Sequence, residues 1–224
     1  KILVFSPHPD DDVLGCGGTI AKHAKAGDEV SVSYLTSGEQ GDPKISEKEL
    51  VQIREKEAKE AAKILGIKNI FFQHLPDGFI EFNKEAFLGL IRLIRQIRPD
   101  MIYFPAQEER HRDNRVAHEL CLDATKRAGW GAFVEAGQLW SAKTILEYEV
   151  WNPMNDWNYA EDVTSYMEKK LEAMRAHKSQ LKNLSYDEAI SGLNRYRGVV
   201  TGKGKYVEVF KIVKTSDLSF NLPS

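Results

Sequence analysis

The feature that most constrains the fold of this chain is a strand–helix alternation that repeats four times within residues 1–130. Each unit pairs a short apolar or alternating segment, typical of a β-strand, with a segment whose apolar residues recur at helical spacing. The predicted strands span residues 2–5, 29–36, 67–72 and 100–105. Because the connections are short, the pattern favours an α/β fold, a parallel sheet with helices on both faces.

Residues 131–224 follow a less regular pattern. A strand is predicted at 143–151, helices at 163–181 and 186–196, and a last strand at 206–213. The length of 224 residues fits one large domain. We therefore predict a single domain over 1–224, with a regular core at 1–130 and an extension at 131–224.

Composition excludes several classes of function. The net charge of -2 leaves no basic footprint for nucleic acid, and no apolar run is long enough to span a bilayer. The two cysteines, Cys16 and Cys121, form no disulfide framework and favour a reducing, cytoplasmic location. We therefore expect a small-molecule partner, with neither nucleic acid nor a membrane span.

One imidazole and three carboxylates stand where the first strand gives way to the first helix. His8 is followed by Asp10, Asp11 and Asp12. In open α/β sheets ligands bind at the carboxyl ends of the strands, which is where these residues fall. Three adjacent aspartates repel one another without a cation, so the cluster indicates a metal or proton-transfer site. The glycines that follow do not match a nucleotide-binding motif.

His8 and Asp11 can converge on one metal, because nitrogen and oxygen ligands suit zinc. A catalytic zinc takes three protein ligands and one water, so a third ligand must come from elsewhere. The polar segment after the fourth strand reaches the same edge of the sheet. Its candidates are His111, Asp113, Asn114 and, one helical turn later, His118.

Asp10 is placed to act as a general base, since zinc lowers the pKa of bound water to about 7 and a nearby carboxylate completes the deprotonation. His111 can stabilise an oxyanion and protonate a leaving amine while Asp113 holds its tautomer. Together these groups describe metal-assisted hydrolysis. Arg54, Arg110 and Asp77 fit solvated surface charges equally well, and Trp151 fits ordinary packing.

The segment from His8 to Asp12 resembles the His-Pro-Asp-Asp-Glu signature of the LmbE-like (PIG-L) zinc-dependent N-deacetylases. The resemblance covers most of the chain and continues through residues 37–39, 53–55, 75–78, 110–113, 148–151, 177–180 and 194–198. It implies a Rossmann-like, mostly parallel sheet, one LmbE-like deacetylase domain with its extension on the substrate side, and one Zn²⁺ per chain. It also implies removal of the acetyl group from an N-acetylglucosamine-type sugar or conjugate.

By similarity, His8 and Asp11 match metal ligands and Asp10 the general base. His111 matches the oxyanion-stabilising histidine and Asp113 its partner, while Arg54 and Arg110 resemble substrate-binding arginines. Iron(II) and manganese suit the same ligand types as zinc. Related proteins often assemble, so a homo-oligomer is expected by analogy alone.

Two positions depart from the family pattern. Asp12 replaces a glutamate, which shortens the side chain by one methylene and keeps its charge. Asn114 stands where the family has its third ligand, a histidine, and an amide oxygen is a poorer zinc ligand than imidazole. Since residue 118 lies four positions on, we hypothesise that His118 supplies the missing nitrogen, or that metal binds weakly with an extra water.

The departure at Asn114 keeps two alternatives to a zinc-dependent N-deacetylase open. One is a weakened family member that binds sugar conjugates without turnover. The other is a hydrolase of a different amide or ester, because the same site polarises any such carbonyl.

Overall fold

The computed structural model describes residues 1–182 and 184–216. Seven strands form one sheet in the order β3-β2-β1-β4-β5-β7-β6. The strands are β1 (Ile2–Ser6), β2 (Val30–Tyr34), β3 (Asn69–Phe72), β4 (Met101–Pro105), β5 (Thr144–Tyr148), β6 (Tyr159–Asp162) and β7 (Val207–Thr215). The first five pair in parallel, and β7 pairs antiparallel with both β5 and β6. The predicted mostly parallel sheet is confirmed.

Helices cover both faces of this sheet. They are α1 (Asp11–Ala26), α2 (Glu47–Leu65), α3 (Lys84–Ile97), α4 (Arg112–Ala128), α5 (Met167–Ala176), α6 (Lys178–Leu181) and α7 (Tyr186–Thr201). One apolar core joins the sheet to α1, α2 and α5, and a second joins its other face to α3 and α4. Within the described part of the chain, no helix is both long and apolar enough to cross a bilayer.

Several boundaries differ from the sequence prediction. The sequence pattern predicts a helix over 116–128, whereas α4 begins at Arg112, because the His111 side chain caps it by accepting from the Asp113 N–H at 3.3 Å. The predicted helix at 163–181 is divided into a 3-10 turn, α5 and α6, with a break at His177. Strand β6 was not predicted.

Contacts with the second half of the chain set the position of helix α1. A β-carbon on Gly15 would lie 2.2 Å from Tyr148 Cδ2 on β5, so only glycine fits there. The helix loses helical geometry at Cys16 (φ -140°). Beyond this break, the buried Glu208 carboxylate accepts hydrogen bonds from the N–H groups of Gly18 and Thr19, both at 2.8 Å. Strand β7 thus anchors the helix whose first turn carries Asp11.

Candidate active site

The turn between β1 and α1 places His8, Asp10 and Asp11 at the carboxyl edge of the sheet. The Asp11 carboxylate accepts from the His8 backbone N–H at 3.1 Å, which closes the turn. Asp10 adopts φ 149° and ψ -25°, a strained conformation for a residue with a side chain. Strain of this kind is held in place by surrounding contacts and clusters at functional sites.

His8 lies among three carboxylates. Its Nδ1 is 3.0 Å from Asp11 Oδ2, and its Nε2 is 3.1 Å from Asp77 Oδ1 and 3.5 Å from Asp113 Oδ2. Burial alone would lower the pKa of His8, but these carboxylates outweigh it and raise the pKa well above 6.5. A carboxylate therefore lies beside each of the two ring nitrogens of His8.

Asp10 is buried beside Arg54, which the sequence analysis assigned to substrate binding. The guanidinium Nη2 is 3.4 Å from Asp10 Oδ2 and donates to the Pro9 carbonyl at 3.0 Å, while Nη1 donates to the Gly38 carbonyl at 3.1 Å. Burial raises the pKa of Asp10 to about 7, against the opposing charge of Arg54. The hydrogen bonds of Arg54 thus stabilise the turn that carries the Asp10 carboxylate.

The start of α4 brings the second group of predicted residues to the same edge. The His111 ring lies 4.7 Å from the His8 ring, centre to centre, in an edge-on arrangement. The Asp113 carboxylate is fully buried and accepts from the N–H groups of Gly78 at 2.6 Å and Ile80 at 3.3 Å. Asn114 is also fully buried, and its amide oxygen and nitrogen have no hydrogen-bond partner among residues 1–182 and 184–216.

His118, the hypothesised third ligand, lies against strand β4. Its Nδ1 lies 3.1 Å from the Pro105 carbonyl oxygen, and its ring packs edge-on against Phe104 at 5.6 Å. Burial lowers its pKa. The Pro105 carbonyl therefore engages Nδ1 of His118, and His118 as the third ligand stays a prediction.

The donors at this edge suit a divalent metal. His8, His111 and Asp113 each offer one ligand atom, and these atoms lie within 4.8 Å of one another. In the described part of the chain, Asp11 Oδ1 is also buried without a hydrogen-bond partner. Buried polar atoms are normally satisfied, so donors left in this state fit a site that binds a cation.

A cavity of about 260 Å³ opens over these residues. His8, Asp10, Asp11, Arg54 and His111 line it together with a further set of residues: Gln40, Gly41, Asp77, Gly78, Trp151, Gln180 and Tyr186. Of the predicted substrate residues, Arg54 is in this lining, whereas Arg110 is exposed and lies outside the set of described lining residues.

Four of the lining residues were missed as site residues in the sequence. Asp77 was weighed as a surface charge, yet its carboxylate is buried against His8. Trp151 was assigned to packing, and it forms an aromatic wall with Tyr186 at 5.2 Å between ring centres. Gln180 lies on α6 at the same cavity. The family resemblance covers 75–78, 148–151 and 177–180, which contain Asp77, Trp151 and Gln180, but local sequence does not show that these distant segments meet at one cavity.

Fold and site together define an α/β protein with a metal-compatible, carboxylate-rich active-site cavity at the carboxyl edge of its sheet. The chain belongs to the PIG-L family, whose model, described as GlcNAc-PI de-N-acetylase, matches residues 3–125. The resemblance found in the sequence is thereby confirmed.

Relatives and solved structures agree with this membership. Diacetylchitobiose deacetylase of Thermococcus kodakarensis is 34% identical over 190 residues, which cover 80% of this chain and 70% of the relative. A probable N-acetyl-α-D-glucosaminyl L-malate deacetylase 2 of Bacillus anthracis is 29% identical over 80% of each chain. The structure of N,N′-diacetylchitobiose deacetylase from Pyrococcus horikoshii, in complex with an inhibitor, superposes with a TM-score of 0.87 at 29% identity, covering 97% of this chain and 87% of the other.

Proposed function

We propose that this chain is a metal-dependent hydrolase that removes the N-acetyl group from an N-acetylglucosamine-type sugar or conjugate. The observation that carries the proposal is that His8, Asp10, Asp11 and His111, from two separate segments, line one cavity. The deacetylases among the relatives support the substrate class.

His8 and Asp11 would hold the metal, because both side chains line the cavity and the buried Asp11 Oδ1 has no hydrogen-bond partner among the described residues. Zn²⁺ is the proposed ion, and it would polarise the acetamide carbonyl and acidify water. Asp10 is the general base: its carboxylate lines the cavity one residue from Asp11 and takes the proton of the attacking water.

His111 is proposed to donate a hydrogen bond to the developing oxyanion and to protonate the leaving amine. Its Nδ1 accepts from the Asp113 backbone N–H at 3.3 Å, which favours the tautomer that carries its proton on Nε2. The Asp113 carboxylate was expected to hold this tautomer. That role stays a prediction, and we propose that Asp113 also fixes the loop beside His8, because its oxygens receive the N–H groups of Gly78 and Ile80.

The two arginines have different surroundings. Arg54 lines the cavity but its guanidinium is occupied by the Pro9 and Gly38 carbonyls, so we propose that it contacts substrate only through its remaining edge. Arg110 is exposed, and its proposed role is to contact the part of the substrate that extends from the cavity. The cytoplasmic location and the homo-oligomer stay predictions.

Acetate release from diacetylchitobiose and from a glucosaminyl conjugate, with metal-stripped and zinc-restored protein, tests the proposed activity. Asp10→Asn keeps the shape of the side chain and removes the base, so we expect a loss of about 10²–10⁴ in kcat. His74→Asn, at an exposed histidine outside the lining set of described residues, is the matched control.

Three outcomes would overturn this assignment. Wild-type acetate release by Asp10→Asn would remove the assigned base. Sugar binding without acetate release at saturating zinc would favour a binding protein, and release of other acyl groups alone, in a panel of N-acyl sugars and simple esters, would favour a different hydrolase.

A further inference from the structure

Asn114 is an unusual residue for a buried position. It lies in the first turn of α4, it is fully buried, and both polar atoms of its side chain lack a hydrogen-bond partner in the part of the chain that the structure describes. Each buried polar atom left unpaired lowers the stability of the folded state substantially. A cost of this kind at a buried asparagine indicates a partner that the polypeptide itself does not supply.

We infer that the Asn114 amide oxygen is the third protein ligand of the metal, beside His8 and Asp11. Asn114 directly follows Asp113 in the first turn of α4, and the Asp113 carboxylate is 3.5 Å from His8 Nε2, so Asn114 belongs to the helix end that adjoins His8. Asp11 Oδ1 is the other buried oxygen for which residues 1–182 and 184–216 provide no partner at this edge. This inference rests on the proposed metal-dependent function and names the ligand set that it needs.

His111 and Asp113, the other candidate metal ligands at this edge, are already engaged in hydrogen bonds. His111 uses Nδ1 to cap α4, and both Asp113 oxygens accept backbone N–H groups from residues 78 and 80. Recruiting Asp113 as a ligand would therefore cost hydrogen bonds that hold the loop after Asp77. Asn114 would lose none, since neither of its polar atoms is engaged by a described residue.

The inferred set contains one imidazole, one carboxylate and one amide oxygen. Oxygen donors suit Mn²⁺ and Mg²⁺, whereas imidazole suits zinc, copper and iron. A site in which an amide replaces an imidazole therefore discriminates less strongly between zinc and manganese. The metal preference of this chain would then differ from that of a protein with two histidine ligands.

Calorimetric titration of the metal-stripped full chain with Zn²⁺ and with Mn²⁺ tests the inference directly. Asn114→Ala removes the ligand, and we expect both affinities to fall at least about tenfold. Asn114→Asp is isosteric and adds a negative charge, so both affinities should rise. Asn114→His should raise the affinity for Zn²⁺ by about 10–100-fold and the affinity for Mn²⁺ by less than about threefold.

Two controls keep the outcome interpretable. His118→Gln changes a histidine held by the Pro105 carbonyl and should leave both affinities unchanged. Thermal unfolding of the metal-free variants shows whether each one is folded. If Asn114 is not a ligand, Asn114→Asp buries an unpaired carboxylate and destabilises the fold without tightening metal binding.

The inference is overturned if Asn114→Ala binds both metals as the wild type does, while Asp113→Asn and His111→Ala lose them. The titration is independent of catalysis. If the variants change metal affinity as expected but the protein releases no acetate, the proposed deacetylase activity is rejected and the inferred ligand set is kept. If the protein releases acetate but the variants do not change metal affinity as expected, only the ligand set is rejected.

Discussion

His177 gives a sharp prediction about stability because its ring is completely buried. Neither ring nitrogen has a hydrogen-bond partner among the residues that the structure places. Burial, with a smaller contribution from the charge of Arg54, lowers the pKa of His177 from 6.5 to about 3. The ring is therefore neutral in the folded protein at any pH near neutrality.

The size of the effect follows from linkage. Between pH 3 and 6.5 the unfolded chain binds a proton at His177 that the folded chain excludes, so stability falls as the pH is lowered. From pH 7 to pH 5 this one residue removes about 2 kcal/mol from the free energy of unfolding, at about 1.4 kcal/mol per unit below the unfolded pKa. His177→Phe cannot titrate, so its free energy of unfolding should lose about 2 kcal/mol less over the same range.

Urea unfolding at pH 5, 6 and 7 measures this difference. Each protein is compared with itself at two pH values, so a change in packing caused by phenylalanine cancels. His74→Asn is the control, because His74 is exposed and its positive φ of 52° is one that asparagine tolerates. An equal pH dependence in wild type and His177→Phe would refute the reasoning.

Three further predictions concern the metal site and the packing around it. Asp77→Asn removes a charge 3.1 Å from His8 Nε2, so metal affinity should fall by about 10–100-fold in calorimetric titration, and an unchanged affinity would exclude this role. Lys170→Met leaves the buried Glu208 carboxylate without its cation at 2.7 Å and should cost about 3–5 kcal/mol in urea unfolding, a loss that adding Glu208→Gln should reduce. Gly198→Ala places a β-carbon 2.4 Å from the Lys205 carbonyl oxygen and should lower the unfolding free energy by about 1–3 kcal/mol, whereas Gly192→Ala, whose β-carbon would meet no described atom within 4 Å, should not.

The strand–helix units and their edge were predictable because local periodicity determines them. β1 to β4 and α1 to α3 occur where the apolar spacing places them, apart from small shifts at their ends. Parallel pairing then brings the segment after β1 and the segment after β4 to one edge, since these two strands are neighbours. That step required no knowledge of side-chain contacts, and it placed His8 and His111 together.

The prediction that His118 is the third ligand rests on helix geometry alone. Residues four apart on a helix share a face, but the later one lies about 6 Å further along the axis. His118 Nδ1 meets the Pro105 carbonyl of β4, whereas Asp113, in the first turn of the helix, lies beside His8. Two residues on one helix face point in the same direction, but they need not lie at the same distance from a metal. Metal binding depends on that distance, because ligand atoms must lie about 2.0–2.2 Å from the ion.

Arg54 shows why the role of a residue can differ from the one its resemblance implies. Its guanidinium joins three loops, because it donates to the carbonyls of Pro9 and Gly38 and approaches Asp10. A β-carbon on Gly38 would lie 1.9 Å from Arg54 Nη1, so the glycine is needed for the guanidinium to reach its place. The same contacts hold the strained φ of Asp10 and oppose the rise of its pKa through burial. Arg54 therefore orients the Asp10 carboxylate and favours its ionised form. Loss of Arg54 would disturb catalysis through Asp10, even if Arg54 made no contact with the substrate.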